Sequence, residues 1–371
     1  MVPLARRYLL SDGVRLAISA GGVALAVVLI VLILALYRGI YEQAGRIATA
    51  APTNLWVTQA GAPDPSHGAS ILPNATLAGI QEVPGVAAAQ PLLARTMQVG
   101  AAPNSGSFVY VMAIPQGPLQ LATAEAFGLR SLPKGRQVVL SDTAARALGA
   151  GAGDTVFIGA RSFTVAEVSP LVESAFGGGA LFVGAEDAPS LFGHPEAFSF
   201  ALVSVSEGAD EQEVEAEIEK RLPETNALTR GEFAASTRRE VEEGFLPIVS
   251  VLIGVSFVVG LAVIALTIYT STVERIRDYG VLKAVGASPR QLFNVVVRQS
   301  VVIALIGYVS GLILGYAAGS LISRAVPEFT TLYRWQDVLA VFGAALVMSA
   351  VAAVVPIRRV ALVDPAMVFR A

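Results

Sequence analysis

Residues 16–36 read LAISAGGVALAVVLIVLILAL, without a single Asp, Glu, Lys, Arg or His. Three further stretches without these residues follow much later in the chain, at 245–273, 301–323 and 338–357. Each reaches the roughly 20 residues that a helix needs to cross about 30 Å of hydrocarbon. The sequence therefore predicts an α-helical membrane protein with four transmembrane helices, one before and three after a long segment of mixed composition, residues 38–244.

Two other interpretations of these stretches are weaker. Core helices of soluble proteins are typically apolar over only about 10–14 residues. The hydrophobic content of 54% and the mean hydropathy of +0.63 also favour a membrane protein. Arg6, Arg7 and Arg15 precede the first stretch, as they would in a signal peptide. That stretch is too long for one, however, and the A-x-A-like site at 48–50 lies well beyond it, so we expect an uncleaved anchor.

Positive charge in the short connections indicates the orientation, because cytoplasmic segments beside a span are enriched in Lys and Arg. Residues 1–15 contain three basic residues against one acidic, residues 274–298 five against two, and residues 358–371 three against one. The external 324–337 connection is balanced. We therefore expect both termini to be cytoplasmic at a bacterial inner membrane, with residues 38–244 outside. The predicted spans cover 16–37, 245–273, 299–323 and 338–357.

The extracytoplasmic segment alternates short strands and helices. Its predicted strands are rich in Val, Phe and other strand formers and lie at 54–59, 107–114, 137–140, 155–159, 162–168, 180–183 and 198–205. Its predicted helices lie at 141–148, 211–221 and 231–243. Ser141 or Asp142 can cap the first of them, and Gly149 lies just past its end. This pattern predicts a large α+β domain of one or two subdomains.

A charged stalk helix, residues 231–244, is expected to join this domain to the second span. Arg238, Arg239 and Glu242 lie in it, and Pro247 follows where the helix would enter the membrane. Because proline lacks a backbone N–H and crowds the preceding turn, we expect it to kink or restart the helix.

No set of residues predicts an active site or a metal site. The chain has two histidines, His67 and His194, both in Gly/Pro-containing loops, and no cysteine. A zinc-type His/Cys cluster is therefore not expected. Asp64, Ser66 and His67 lie close together in sequence, but a polar Pro-rich loop contains such residues by chance. The acidic run 210–219 predicts a solvated helix face. We expect a non-catalytic chain that binds no cofactor, metal or nucleic acid.

Glycine recurs at every fourth position of the third span, at Gly307, Gly311, Gly315 and Gly319. On a helix these positions form one smooth ridge, along which another backbone can approach closely. Glycine is also common in membrane helices generally. The ridge predicts a packing face whose partner is either a neighbouring span or a second copy.

The spans carry no ionisable residue of the kind that gradient-coupled transporters use. Four helices are also few for a wide polar path, so we expect a dimer in contact with membrane lipid.

The connection between the second and third spans contains DYGVLKAVGASPR, residues 278–290. Gly286 can end a short helix, and Ser288 can cap a new one that starts at Pro289 with Gln291 as its capping-box partner. Such a rigid elbow can transmit force. It presents apolar side chains with basic neighbours, namely Tyr279, Val281, Leu282 and Val285. The alternative is a positively charged hairpin that only fixes the topology.

These features resemble the FtsX-like (MacB-type) permease family of ABC transporters. Residues 274–288, ERIRDYGVLKAVGAS, are similar to the family's coupling segment. Residues 138–168 are similar to the shared part of the outer domain, through Ser141-Asp142, Leu148-Gly149 and Gly153-Asp154-Thr155, and Asp364-Pro365-Ala366 is similar to the cytoplasmic tail. Within the family, the size and the start of the chain look closest to DevC-type exporter subunits. Two positions depart from the pattern, since Asp278 and Gln299 stand where the family often has Glu.

The resemblance implies a permease subunit that dimerises and sits on two copies of a separate ATPase. The family's ATPase-coupling positions correspond here to Glu274, Arg275, Asp278, Tyr279, Gly280, Leu282, Lys283, Gly286, Ser288 and Pro289. MacB carries its nucleotide-binding domain in the same polypeptide, whereas this chain has no G-x-x-x-x-G-K-S/T phosphate loop. ATP and magnesium are therefore expected on the partner ATPase.

The resemblance further implies that ATP hydrolysis moves the outer domain. The expected cargo is a lipid, lipoprotein, peptide or amphipathic drug-like molecule, with an exported adaptor or membrane-fusion protein as a further partner. A second possibility is a regulator that transports nothing and activates an extracytoplasmic partner such as a cell-wall hydrolase. A receptor without an ATPase is disfavoured, because residues 358–371 leave no room for an output domain.

Overall fold

The computed structural model describes residues 13–62, 70–173, 179–193, 196–274, 288–326 and 329–361. Most of the predicted elbow, the loop histidines His67 and His194, and the tail motif at 364–366 lie outside the described residues. The chain divides into two compact units. The membrane unit comprises residues 1–38, 247–322 and 331–371, and the outer unit comprises residues 39–246 and 323–330.

The described residues form ten helices and eleven strands. The helices are α1 (Gly13–Ala44), α2 (Arg46–Ala50), α3 (Asn74–Gln81), α4 (Gln120–Ala126), α5 (Asp142–Leu148), α6 (Ala188–Phe192), α7 (Glu211–Arg221), α8 (Arg230–Glu274), α9 (Pro289–Ala325) and α10 (Trp335–Ala361). The strands are β1 (Leu55–Gln59), β2 (Leu72–Pro73), β3 (Val86–Gly100), β4 (Ser107–Ala113), β5 (Gln137–Ser141), β6 (Thr155–Ile158), β7 (Arg161–Ser169), β8 (Ala180–Val183), β9 (Ala197–Phe198), β10 (Phe200–Val205) and β11 (Thr225–Thr229).

Four of the described helices, α1, α8, α9 and α10, are long and apolar enough to cross a membrane, as predicted. The side chains between them are aliphatic, and Val27, Ile264, Ile303 and Met348 are at most 3% exposed. Over the most apolar 18 consecutive residues of each helix, the buried share is 44% in α1, 22% in α8, 28% in α9 and 33% in α10. Helix α1 is therefore the central helix of the membrane unit.

Helix α8 runs without interruption from Arg230 to Glu274, with Pro247 inside it. Of the two predicted effects of Pro247, a kink or a restart of the helix, the restart is excluded because the helix is continuous. In a bilayer, every backbone group without a hydrogen-bond partner is costly, so an apolar segment keeps its helix and loses only the one bond that proline removes. The predicted stalk, residues 231–244, belongs to the same helix as the second span.

The outer unit contains a nine-stranded sheet in the order β11-β1-β10-β3-β4-β8-β5-β7-β6. The long strand β3 takes part twice. Its first half pairs antiparallel with β10, where Leu92 lies opposite Phe200, and its second half pairs with β4. Strand β6 returns to the end of β3, where Ile158 lies opposite Val99. An open antiparallel sheet and a closed ring of β3, β4, β8, β5, β7 and β6 therefore share one strand.

All seven predicted strands are present to within one residue at their ends, apart from a break at Ser199 between β9 and β10. The structure also contains strands β2, β3 and β11 and helices α2, α3, α4 and α6, which the sequence did not predict. The predicted α+β class is confirmed.

Ser141, rather than Asp142, caps α5. Its hydroxyl oxygen accepts hydrogen bonds from the backbone N–H groups of Ala144, at 3.1 Å, and Ala180, at 3.0 Å. Gly149 follows the helix in the left-handed conformation, with a φ of 62°. Because Ser141 is fully buried, one hydroxyl satisfies the start of α5 and the first residue of β8 together.

Replacing Ser141 with alanine would leave both of these buried N–H groups without their acceptor. We expect Ser141→Ala to destabilise the outer unit by about 1–3 kcal/mol, measured as a lower apparent melting temperature of the purified protein. Ser105→Ala is the matched control, because the Ser105 hydroxyl donates to Ala102 in an exposed turn. Equal melting temperatures for the two variants would contradict the double role of Ser141.

Candidate functional site

The ten predicted coupling residues flank and fill the connection between α8 and α9. The structure describes three of them, Glu274 at the end of α8 and Ser288 and Pro289 at the start of α9. Seven lie outside the described residues, namely Arg275, Asp278, Tyr279, Gly280, Leu282, Lys283 and Gly286. Their role in docking an ATPase stays a prediction.

The start of α9 has the predicted capping box. The backbone N–H of Ser288 donates to Oε1 of Gln291 at 2.8 Å, and the backbone N–H of Gln291 donates to Oγ of Ser288 at 3.4 Å. Pro289 is the first helical residue, where its missing N–H costs nothing. The third membrane helix therefore has a fixed beginning immediately after the predicted elbow.

The glycine ridge of α9 lies against α1 of the same chain. A Cβ atom added at Gly311 would lie 2.7 Å from Val27 Cβ and 2.8 Å from the carbonyl oxygen of Ala24. At Gly307, one turn earlier, it would overlap Val23 and lie 2.8 Å from the carbonyl oxygen of Ala20. Of the two partners that the sequence left open, the ridge contacts a neighbouring span.

The contact loosens towards the outer end of α9. A Cβ at Gly315 would lie 3.4 Å from Val31 Cγ1, which is ordinary van der Waals contact. At Gly319 the space is filled by Tyr333, whose hydroxyl donates to the carbonyl oxygen of Gly315 at 3.2 Å. The closest backbone approach is therefore made by the first two glycines.

A second pair of glycines, which the sequence analysis missed, packs α1 against α8. A Cβ at Gly22 would overlap Val263, and one at Gly260 would lie 2.6 Å from Ala26 Cβ and 3.0 Å from Met348 Sδ. Each lies four residues from another small residue, Gly22 before Ala26 and Gly260 after Ser256, and this small-x-x-x-small spacing is the signal that could have identified them. Helix α1 thus packs closely on α9 and on α8 at the same time.

The outer ends of α1 and α10 are joined by a two-pronged ion pair. Arg38 donates from Nε to Oδ2 of Asp337 and from Nη2 to Oδ1, both at 3.0 Å. The backbone N–H of Leu332 also donates to the carbonyl oxygen of Ala35 at 3.0 Å. Such bidentate arginine–carboxylate pairs fix orientation as well as distance. The charge balance of the 324–337 connection gave no hint of this pairing.

In the outer unit, an aromatic cluster holds α2 and the start of α8 on the sheet. Trp56 on β1 stacks on Phe233 of α8, with ring centroids 4.5 Å apart. The indole Nε1–H of Trp56 donates to the carbonyl oxygen of Ala48 in α2 at 3.2 Å. Phe200 on β10 meets both rings edge-on. All these side chains are buried, so the two helical segments share one core.

The predicted stalk residues differ in their surroundings. The Arg238 guanidinium lies over Gly45, where an added Cβ would be 3.0 Å from its Cζ. Arg239 and Glu242 are exposed.

Glu240, which was not among the predicted stalk residues, is half-buried, and its Oε2 has no hydrogen-bond partner within the described part of the chain. Burial raises the pKa of the Glu240 carboxyl, and the Glu243 carboxylate raises it further.

Two protein families match the chain. The FtsX-like permease C-terminal family matches residues 250–365, and the MacB-like periplasmic core domain family matches residues 16–221. Over the described residues, no group of three or more His, Asp or Glu side chains is placed to hold a metal ion.

Known proteins are similar to this chain over nearly its whole length or over parts of it. An uncharacterized ABC transporter permease of Mycobacterium tuberculosis is 28% identical over 360 residues, which covers 96% of this chain and 95% of that protein. The macrolide export ATP-binding/permease protein MacB of Escherichia coli is 29% identical over 118 residues, 32% of this chain and 17% of MacB. The crystal structure of the extracellular domain of the ABC-type transporter YknZ covers 47% of this chain and 98% of its own, at 13% identity and a TM-score of 0.35.

Adding one methyl group to the glycine ridge tests its contact with α1. We expect Gly311→Ala to destabilise the membrane unit by about 1–3 kcal/mol, because neither Val27 nor the Ala24 carbonyl can give way cheaply. Gly343→Ala in α10 is the control, since nothing lies within 4 Å of a Cβ added there. The measurement is the apparent melting temperature in detergent, and equal shifts in both variants would contradict the packing.

The half-buried carboxyl of Glu240 predicts a pH-dependent stability. Its raised pKa means that the folded protein holds the proton more tightly than the unfolded chain, so stability falls as pH rises through the raised pKa. We expect Glu240→Gln to melt higher than the wild type above the raised pKa of the Glu240 carboxyl and to lose this advantage progressively as the pH is lowered through that pKa. Glu242→Gln, exposed on the same helix, should change little. A difference independent of pH would refute this explanation.

Proposed function

The chain belongs to the MacB-like, FtsX-like family of ABC transporter permeases. From this premise we propose that it converts ATP hydrolysis by a separate ATPase into mechanical motion of its outer domain. It is a multi-pass membrane protein with four apolar helices and an α+β domain between the first and second of them. The ATPase, with its ATP and magnesium, docks on the elbow between α8 and α9. The permease itself is non-catalytic.

The observation that carries this proposal is the packing of α1 between α9 and α8. Gly307 and Gly311 bring α9 within backbone contact of α1, and Gly260 brings α8 against the Ala26 side chain of α1. The space between these helices is too small to admit even a methyl group. A helix packed this closely cannot shift without moving its neighbour. A push on the elbow therefore reaches all three helices together.

Motion leaves the membrane along α8. This helix is unbroken from Arg230 to Glu274, and its first turns, with Phe233, are stacked on Trp56 of the sheet. The stalk residues Arg238, Arg239 and Glu242 lie on it. A continuous helix transmits displacement along its axis with little loss, since every turn is hydrogen-bonded to the next.

The orientation follows from the basic connections. We place both termini and the 274–298 connection in the cytoplasm of a bacterium, and residues 38–244 outside its inner membrane. In this orientation the elbow faces the nucleotide supply and the MacB-like domain faces the exterior.

A second copy of the chain completes the transporter. Helix α8 exposes Val251, Val255 and Val258 on one face, each by more than half. In a bilayer this face meets either lipid or another permease, and two permeases provide one docking elbow for each ATPase of a pair. An exported adaptor or membrane-fusion protein would bind the outer domains, and the cargo would be a lipid, lipoprotein, peptide or amphipathic drug-like molecule.

A charge placed in the elbow tests the docking. In a complex co-purified with its ATPase and reconstituted in nanodiscs, we expect Leu282→Asp to reduce ATP hydrolysis to the level of the isolated ATPase, because a carboxylate would have to be buried in the interface. Leu121→Asp makes the same change at an exposed position of the outer domain and should leave the rate unchanged.

Undiminished hydrolysis in Leu282→Asp would refute the docking site. The regulatory function would be favoured over transport by three results together. These are normal coupling in the wild type, no cargo movement in reconstituted vesicles, and capture of a cell-wall hydrolase by the outer domain.

A further inference from the structure

The outer unit contains a cavity of about 480 Å³ that the coupling mechanism does not use. It lies where two neighbouring strands end. Strands β4 and β8 are parallel, with Val111 opposite Leu181, so their carboxyl ends lie at the same edge of the sheet. Residues 114–116, which follow β4, form one wall of the cavity. The end of β8, with Ala185 and Glu186 after it, forms a second wall, and Leu129 with residues 132–134 forms a third. The carboxyl ends of parallel strands are a common place for ligand sites.

The floor of the cavity is apolar. Ile114, Leu129 and Phe182 line it, and each is buried in the core of the outer unit. The polar side chains of the lining, Gln116, Gln120, Lys134 and Glu186, surround this floor. The volume of the cavity falls within the range of about 300–1,000 Å³ that sites for small organic molecules have.

The polar groups are not equally available to a ligand. Gln120 donates from Nε2 to the carbonyl oxygen of Ile114 at 3.0 Å, and a carboxylate oxygen of Glu186 accepts from the backbone N–H of Gly135. The ammonium group of Lys134 is exposed and forms no hydrogen bond or ion pair with any residue that the structure describes. The Glu186 carboxylate also lines the cavity, but its oxygen already accepts from a backbone N–H. Lys134 is therefore the charged group of the lining that has no partner among the described residues.

We propose that this cavity binds a small amphipathic anion, with its apolar body on Ile114, Leu129 and Phe182 and its carboxylate or phosphate at Lys134. A neutral apolar molecule would leave the Lys134 ammonium group without a partner. The site is independent of the ATPase, because every residue in it belongs to the outer unit.

Direct binding to the full chain tests the site. The protein is reconstituted in nanodiscs without ATPase and titrated with dansylundecanoic acid and with its methyl ester, using empty nanodiscs to subtract partition into lipid. We expect Ala185→Phe, which fills the cavity, to weaken binding of both probes at least about tenfold. Lys134→Gln should weaken the acid about tenfold and leave the ester unchanged.

Two substitutions outside the cavity are the controls. Ala122→Phe lies on the exposed side of α4, and Lys220→Gln removes an exposed lysine of α7. Neither should change the affinity for the acid. If Ala185→Phe does not fold, Gln116→Trp, at an exposed rim position, obstructs the cavity without touching the core.

The site is refuted if the wild type binds no more acid than empty nanodiscs, or if obstructing the cavity leaves the affinity unchanged. Equal losses for acid and ester in Lys134→Gln would refute the selection for an anion. Leu282→Asp should bind both probes normally, so a failure of the coupling proposal would not be mistaken for a failure of this one.

Discussion

The close approach of α9 to α1 is the contact on which the membrane unit depends. Lipid tails are as apolar as the side chains of these helices, so burial from water cannot hold them together, and van der Waals packing must do so. The uncharged spans contribute no ionic contacts within the hydrocarbon. Gly307 and Gly311 remove the side chains that would keep the two backbones apart. The ion pair between Arg38 and Asp337 joins the outer ends of α1 and α10, beyond the uncharged spans.

The sequence was sufficient where a structural feature depends on neighbours along the chain. The cap at Ser288 was predicted correctly, and Ser141 was one of the two residues predicted to cap α5, because each cap needs only a hydroxyl and a helix that begins beside it. The glycine ridge was recognised by its spacing, but its partner was not, because a ridge suits any smooth surface. Gly22 and Gly260 each have only one small residue at the same spacing, Ala26 and Ser256, and the assembled helices show which neighbour each glycine meets.

Strand β3 was missed because its sequence does not favour a strand. It begins with three alanines within its first four residues and contains Pro91, which lacks an N–H for the ladder. Its pairing depends on distant residues. Ser199 donates its backbone N–H to the carbonyl oxygen of Leu92, and its hydroxyl both accepts from Ala94 N–H and donates to Ala94 O. Contacts with β10, β4 and β6 thus impose an extended conformation that local preference would not choose.

Glycines of the membrane helices differ in how closely their neighbours approach. Gly21, Gly254 and Gly343 have nothing within 4 Å of an added Cβ, so they give no sign of a packing requirement. Gly22, Gly260, Gly307 and Gly311 each exclude even a methyl group, and together they trace one path from α9 through α1 to α8. The four spans carry no Asp, Glu, Lys, Arg or His, and the proposed transmission of force between these helices rests on contacts of this kind.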